Sequence, residues 1–224
     1  MHNLEEPRDR SELIKRLDSL AGIRIGELAA HLGIEVPENL RRHKGWVGQL
    51  LEMALGTSAG NKAVPDFERL QIELKTLPVN PKGVPSESTY VCVVPLNNLK
   101  DVNWESSVVR HKLSHVLWLP IEASKEIPLI HRRIGQGFLW KPDEQTERQL
   151  KRDFDEFMEQ IVLGEIESIT AHQGEFLQIR PKAANASALT EGIGEQGKIR
   201  TLPRGFYLRA GFTRRLLEEH RRLA

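Results

Sequence analysis

The 224-residue chain has a single cysteine, Cys92, and no stretch approaching the roughly 20 apolar residues that a membrane span requires. A lone thiol excludes an internal disulfide and any zinc centre built on several thiolates. Within the apolar run Val91-Cys92-Val93-Val94 it reads as a small core residue. No apolar signal segment follows Met1, so the expected location is cytoplasmic, with no membrane partner. An excess of one charge is also missing: 32 Lys and Arg against 31 Asp and Glu leave a net +1, which does not mark a nucleic-acid binder. Internal repeats and low-complexity linkers are absent. The stretch Gly56-Thr57-Ser58-Ala59-Gly60-Asn61-Lys62 superficially resembles a phosphate-binding loop, but only three residues separate its glycines and no Ser or Thr follows the lysine. ATP binding is therefore not expected. His111 and His115 stand four apart, as on one helical face, yet no H-E-x-x-H motif or nearby cysteine accompanies them, so no metal role is expected for them.

What is present is an ordinary globular composition, 28% charged and 39% hydrophobic, in a chain long enough for one substantial core. The expectation is a single domain over residues 1–224, divided into two lobes. Basic residues crowd into Arg41-Arg42-His43-Lys44, Arg110-His111-Lys112, Arg132-Arg133 and the run from Lys198 to Arg222. Each cluster alone is more often solvated surface than a contact for a polyanion.

Periodicity gives an α+β order. Ser11 is expected to cap a helix carrying Leu13, Ile14, Leu17 and Leu20, and a second short helix after Gly22 presents Ile25, Leu28, Ala29 and Leu32. Such a pair fits a DNA-reading helix-turn-helix or a packing hairpin. A third helix, Trp46 to Leu55, offers Trp46, Leu50, Met53 and Ala54 to a core, directs Glu52 elsewhere and ends at Gly56. Strands are expected over 71–77, 88–94 and 116–121. A long helix from Asp143 to Leu163 follows, with Leu150, Phe154, Phe157, Met158, Ile161 and Val162 as its apolar stripe. Short strands at 176–179 and 205–208 flank a Gly- and Ala-rich loop, and a basic helix runs from Phe212 to Leu223.

The most informative residues are Pro65-Asp66, six intervening positions, and Glu73-Leu74-Lys75. Side chains two apart on a strand share a face, so Glu73 and Lys75 point the same way. Asp66, entering from the preceding turn, can reach the same point, and a hard oxygen-seeking cation fits between Asp66 and Glu73 with Lys75 beside it. That is the P-D-x6-E-x-K form of a phosphodiesterase site. A solvated strand face gives the same alternation of charge, but the flanking Leu70, Ile72 and Leu74 argue for a strand packed in a core. There, charge is costly unless it is paired or holds a metal.

Longer motifs extend this reading. Asn39-Leu40-Arg41-Arg42-His43-Lys44-Gly45-Trp46, the P-D-x6-E-L-K site, Val109-Arg110-His111-Lys112-Leu113, Ile179-Arg180-Pro181-Lys182-Ala183-Ala184-Asn185-Ala186 and Leu202-Pro203-Arg204-Gly205-Phe206-Tyr207-Leu208 closely resemble the MutH family. These are nicking endonucleases of methyl-directed mismatch repair, related to type II restriction enzymes. The resemblance runs from the first helices nearly to the C-terminus. It implies a restriction-endonuclease-like α+β fold, with a mixed central sheet flanked by helices and two lobes around a DNA cleft. It also implies a monomer that uses Mg2+ to cut the unmethylated strand 5′ to the G of hemimethylated or unmethylated GATC. A MutL-type activator and an upstream MutS-type mismatch sensor are the implied partners. Carried over by position, Asp66 and Glu73 resemble the metal ligands and Lys75 the third catalytic residue. Glu52 matches an additional active-site carboxylate and Lys112 a further lysine near the scissile phosphate. Arg180, Pro181, Lys182 and Tyr207 match the base-reading residues, with Lys44 and Tyr90 as further DNA contacts. For Tyr207 and Tyr90 the alternative reading is a half-buried strand aromatic. A restriction-type enzyme cutting both strands of GATC is the alternative function.

Overall fold

In the computed structural model, which describes residues 4–38, 43, 45–57, 64–85, 87–182 and 187–223, the chain divides into two compact units. The first is Met1–Ser86 with Ser114–Lys141; the second is Glu87–Leu113 with Pro142–Ala224. The helices are α1 (Arg10–Leu20), α2 (Ile25–His31), α3 (Trp46–Leu55), α4 (Val108–Leu113), α5 (Glu144–Val162) and α6 (Ala210–Leu223). The strands are β1 (Glu73–Val79), β2 (Thr89–Val93), β3 (Val116–Glu122), β4 (Phe138–Trp140), β5 (Leu177–Pro181), β6 (Thr190–Gly194), β7 (Gly197–Thr201) and β8 (Arg204–Leu208).

The first unit is a mixed three-stranded sheet, β1-β3-β4, with β1 parallel to β3 and β4 antiparallel. Buried leucines of α1 and α3, Ile25 and Leu28 of α2, and Leu117 and Leu119 of β3 form one core. Asp9, not Ser11, caps α1: its carboxylate accepts from the Glu12 N–H at 2.9 Å. Both residue types suit a cap, but only Asp9 stands three residues before Glu12 in extended backbone. Ile14 is turned outward because it lies beside, not on, the stripe formed by Leu13, Leu17 and Leu20. Met53 is likewise exposed, off the buried line of Leu50, Leu51 and Leu55. The link between α1 and α2 is pinned by backbone bonds from Gly22 to Ile134 and from Ile25 to Arg132. With the apolar faces of both helices in the core, the pair is a packing hairpin. Gly56 ends α3 at φ +85, the left-handed cap expected there.

The second unit holds the antiparallel sheet β2-β8-β5 and the β6-β7 hairpin. The strand at 89–93 therefore joins a different sheet from β1. Val93 is exposed at its end rather than buried. The hairpin occupies the stretch expected to be loop, and its cue is Glu195-Gln196 between Gly194 and Gly197. The buried aromatic side chains of α5 meet Phe206 of β8, with centroids 5.6 Å from Phe154 and 6.5 Å from Phe157. Val162, the last residue of α5, is turned off that stripe one position after the buried Ile161 and is exposed. Since α4 ends at Leu113, His115 lies beyond it, and the two histidines share no helical face.

One charge sits inside the stripe of α5. Asp153 is 2% exposed, and its carboxylate accepts backbone N–H groups from Phe176 at 2.6 Å, Leu177 at 2.8 Å and Glu175 at 3.1 Å. The side-chain amide of Gln149 adds a fourth donor at 2.9 Å.

Candidate active site

The local fold accounts for the spacing between Asp66 and Glu73. Phe67 and Ile72 exchange both backbone hydrogen bonds, at 2.9 and 3.2 Å, closing a tight turn in which Gln71 adopts φ +55. Residues paired in this way stand directly opposite one another, so the next pair outward is Asp66 and Glu73. Phe67 and Ile72 are fully buried, and alternation sends the two carboxylates to the other face. The strand accordingly starts at Glu73, with Leu70 and Gln71 in the turn.

Asp66 is anchored by the Leu74 N–H, which donates to Oδ2 at 2.8 Å. The Glu73 N–H donates to the His115 carbonyl at 3.0 Å, in line with the parallel pairing of β1 and β3. Lys75 Nζ lies 2.5 Å from Glu73 Oε1, with the two side chains 11% and 3% exposed, so the expected shared face is real. Thr57, which no sequence signal singled out, ties the end of α3 to this turn. Its N–H donates to the Glu52 carbonyl at 2.8 Å, and its hydroxyl donates to the Asp66 carbonyl. Glu52 itself is half-buried on α3.

Two buried carboxylates beside one ammonium leave an excess of negative charge in a poorly solvated place. Hard oxygen donors with that excess fit a divalent cation. Among the described residues no three His, Cys, Asp or Glu side chains converge on one metal position, so Glu52 does not complete a three-carboxylate cluster. A donor set of two carboxylates, completed by water and phosphate oxygens, is the coordination Mg2+ favours.

His115 is buried beside β1, and its imidazole is pushed down to about 4, first by burial and then by the charges of Lys141 and Arg10. The folded chain keeps it neutral, whereas the unfolded chain takes up a proton near the ordinary value of 6.5. Stability is therefore expected to fall as pH drops from about 6.5 toward 4. His115→Gln should flatten that limb in urea titrations at pH 7, 5.5 and 4.5. Equal loss in parent and variant would refute it.

The second unit gathers the candidate DNA contacts on one sheet. Tyr90 and Tyr207 face each other across β2 and β8, with ring centroids 5.3 Å apart and planes at 65°. Lys182 Nζ lies 3.1 Å from the Tyr90 ring centroid, and the Arg180 guanidinium lies 5.9 Å from that of Tyr207. Arg180 also donates to the Ser88 hydroxyl at 2.7 Å, and Pro181 is exposed at the end of β5. Burial, reinforced by Cys92 and Tyr207, pushes the Tyr90 hydroxyl up to about 12, and burial raises that of Tyr207. Both rings stay uncharged across the physiological range. Lys112 is buried on α4 of this unit. Lys44 and residues 183–186 lie outside the described residues.

The family model described as "DNA mismatch repair enzyme MutH" matches residues 55–153. The DNA mismatch repair protein MutH of Escherichia coli O9:H4 (strain HS) is 54% identical over 218 residues, covering 97% of this chain and 95% of that one. The MutH protein of Escherichia coli (strain K12) gives the same figures, and that of Escherichia coli O1:K1 / APEC is 55% identical over the same coverage. The chain belongs to the MutH family. MutH membership makes it an endonuclease of DNA mismatch repair with an α+β construction, and nucleases of this kind work with a divalent metal ion. The MutH match over 55–153 contains Asp66, Glu73, Lys75, Tyr90 and Lys112, whereas Glu52, Arg180, Pro181, Lys182 and Tyr207 lie outside it. No helix among the described residues is long and apolar enough to cross a membrane.

Proposed function

We propose that this chain, acting as a monomer, nicks the unmethylated strand immediately 5′ to the G of hemimethylated GATC by Mg2+-dependent phosphodiester hydrolysis. The observation that carries the reading is the buried pair Asp66 and Glu73 with Lys75 on the same strand face. Asp66 and Glu73 hold the cation. When bound, Mg2+ supplies a more acidic water and neutralises charge developing on the phosphoryl and leaving oxygens. Lys75, whose ammonium is positioned by Glu73, orients the attacking water or neutralises the phosphate. Glu52, on α3, is the additional active-site carboxylate outside the metal pair, and Lys112 is the further lysine assigned to the scissile phosphate.

Sequence is read by the face bearing Arg180, Lys182, Tyr90 and Tyr207, with Pro181 and Lys44 as further contacts. In the major groove adenine offers N7 and its N6 amino group, and a methyl on N6 adds bulk where a close aromatic partner stands. Tyr207→Ser is accordingly expected to narrow the difference in nicking rate between unmethylated and methylated GATC. An unchanged rate ratio in a plasmid nicking assay would count against it.

One catalytic triplet per chain acts on one strand per encounter, and its timing is set by a MutL-type partner responding to a MutS-type mismatch sensor. The test is incubation of the purified protein with hemimethylated, unmethylated and fully methylated GATC plasmids, with and without the MutL-type partner. Partner-stimulated nicking of one strand is expected. Partner-independent cutting of both strands at unmethylated sites would instead make the chain a restriction-type enzyme.

A further inference from the structure

Gly205 sits in the interior of β8, where a glycine weakens a strand. Its backbone is not left-handed, so an L residue can hold the conformation. What the position lacks is room for a Cβ with the two neighbouring rings where they stand. A Cβ there would stand 3.0 Å from Tyr207 Cε2, 3.0 Å from Tyr90 Cε2 and 3.4 Å from Tyr90 Cδ2. Gly205 is two residues from Tyr207 and therefore on the same face, while its partner on β5 is Arg180. The two rings thus lie down over a vacant strand position, with Arg180 beside it. Arg180 in turn is held by the Ser88 hydroxyl at 2.7 Å, just ahead of β2.

We infer that Gly205 and Ser88 are positioning residues for sequence and methylation reading. Gly205 sets the height of the tyrosine rings above the sheet, and Ser88 sets the direction of Arg180. The inference rests on the reading of Tyr207 and Arg180 as base-contacting groups. A methyl group on N6 is rejected sterically only if the opposing ring is held at one distance. Any Cβ at 205 makes the rings shift by a few tenths of an ångström. Neither residue touches the nucleic acid in this scheme; each acts through a side chain that does.

Three variants test the scheme in one series: Gly205→Ala, Ser88→Ala and Tyr207→Ala. Each is assayed for kcat and KM on unmethylated, hemimethylated and fully methylated GATC, for affinity to DNA lacking GATC, and for its melting midpoint. Gly205→Ala is expected to raise KM at GATC roughly tenfold and to change the methylation ratio, with kcat, non-specific affinity and melting midpoint near parent values. Ser88→Ala is expected to raise KM about threefold, the scale of one lost hydrogen bond, and to relax selectivity against sites with one altered base pair. Ser88 lies partly exposed outside the strands, so its variant remains informative even if Gly205→Ala folds poorly. If Tyr207→Ala changes neither KM nor the methylation ratio, the base-reading assignment itself fails. If Tyr207→Ala changes them while Gly205→Ala and Ser88→Ala match the parent, the positioning role is overturned. Loss of melting midpoint and non-specific affinity together in Gly205→Ala would make that glycine merely structural, and would overturn its part.

Discussion

Asp66→Ala is expected to lower strand nicking by three to four orders of magnitude while DNA binding stays measurable, a loss of roughly 4–5.5 kcal/mol of transition-state stabilisation. The size follows from removing one of the two carboxylates proposed to hold the cation. Binding survives because Asp66 is nearly buried and contributes no attraction to phosphate; removing its negative charge lessens repulsion instead. The fold should survive as well, since Glu73 and Lys75 remain a balanced pair at 2.5 Å. Asp66→Asn sharpens the test. An amide oxygen can still accept from the Leu74 N–H, so the turn is kept while the charge is lost. If the site works through its charge, both variants are inactive; if Asp66 matters only as a turn anchor, the asparagine variant recovers. Single-turnover nicking of a GATC duplex with a parallel binding assay decides this, and strong residual Mg2+-dependent nicking in Asp66→Ala would sink the metal-ligand assignment.

The largest effect on stability is expected at Asp153, far in the chain from the candidate catalytic residues. Asp153→Ala should cost about 3–5 kcal/mol, because it strips the acceptor from three backbone N–H groups in a buried setting. Against a typical net stability of roughly 5–15 kcal/mol that is a large fraction. Asp153→Asn keeps one acceptor oxygen and should fall between. The consequence reaches the candidate DNA-contact face: the anchored N–H groups open β5, and the far end of β5 carries Arg180 and Pro181, with Lys182 following. Urea unfolding checks it, and a loss below about 1 kcal/mol would show that water replaces the carboxylate.

Elements with a strong repeat were legible from the chain. The α3 boundaries and its Gly56 cap, the buried run Val116 to Ile121 of β3, and the body of α5 all follow from patterns that few other structures satisfy. Local signals compete where two residues offer the same chemistry, as with Ser11 and Asp9, or where an apolar residue lies just off the buried stripe, as at Ile14, Met53 and Val162. The β6-β7 hairpin and the short β4 carried too little alternation to stand out. Asp153 ran against the stripe rule: a charge on a buried helix face looks like an error until its donors, more than 20 residues later, are in place.

By itself the sequence determined the family, through motifs long enough to name it, and the candidate site: two carboxylates and a lysine at a spacing that one tight turn and one strand convert into a single face. Periodicity and spacing act over a few residues, and these features need no more than that. The tertiary structure decided everything that depends on partners distant in the chain. It placed β2 in a separate sheet with β8 and β5, tied the backbone at Glu52 to the backbone at Asp66 through Thr57, set Tyr90 and Tyr207 over Gly205, and gave Arg180 its hold on Ser88. Such contacts are fixed by which surfaces exclude water together, and that is a property of the packed chain rather than of any local stretch of it.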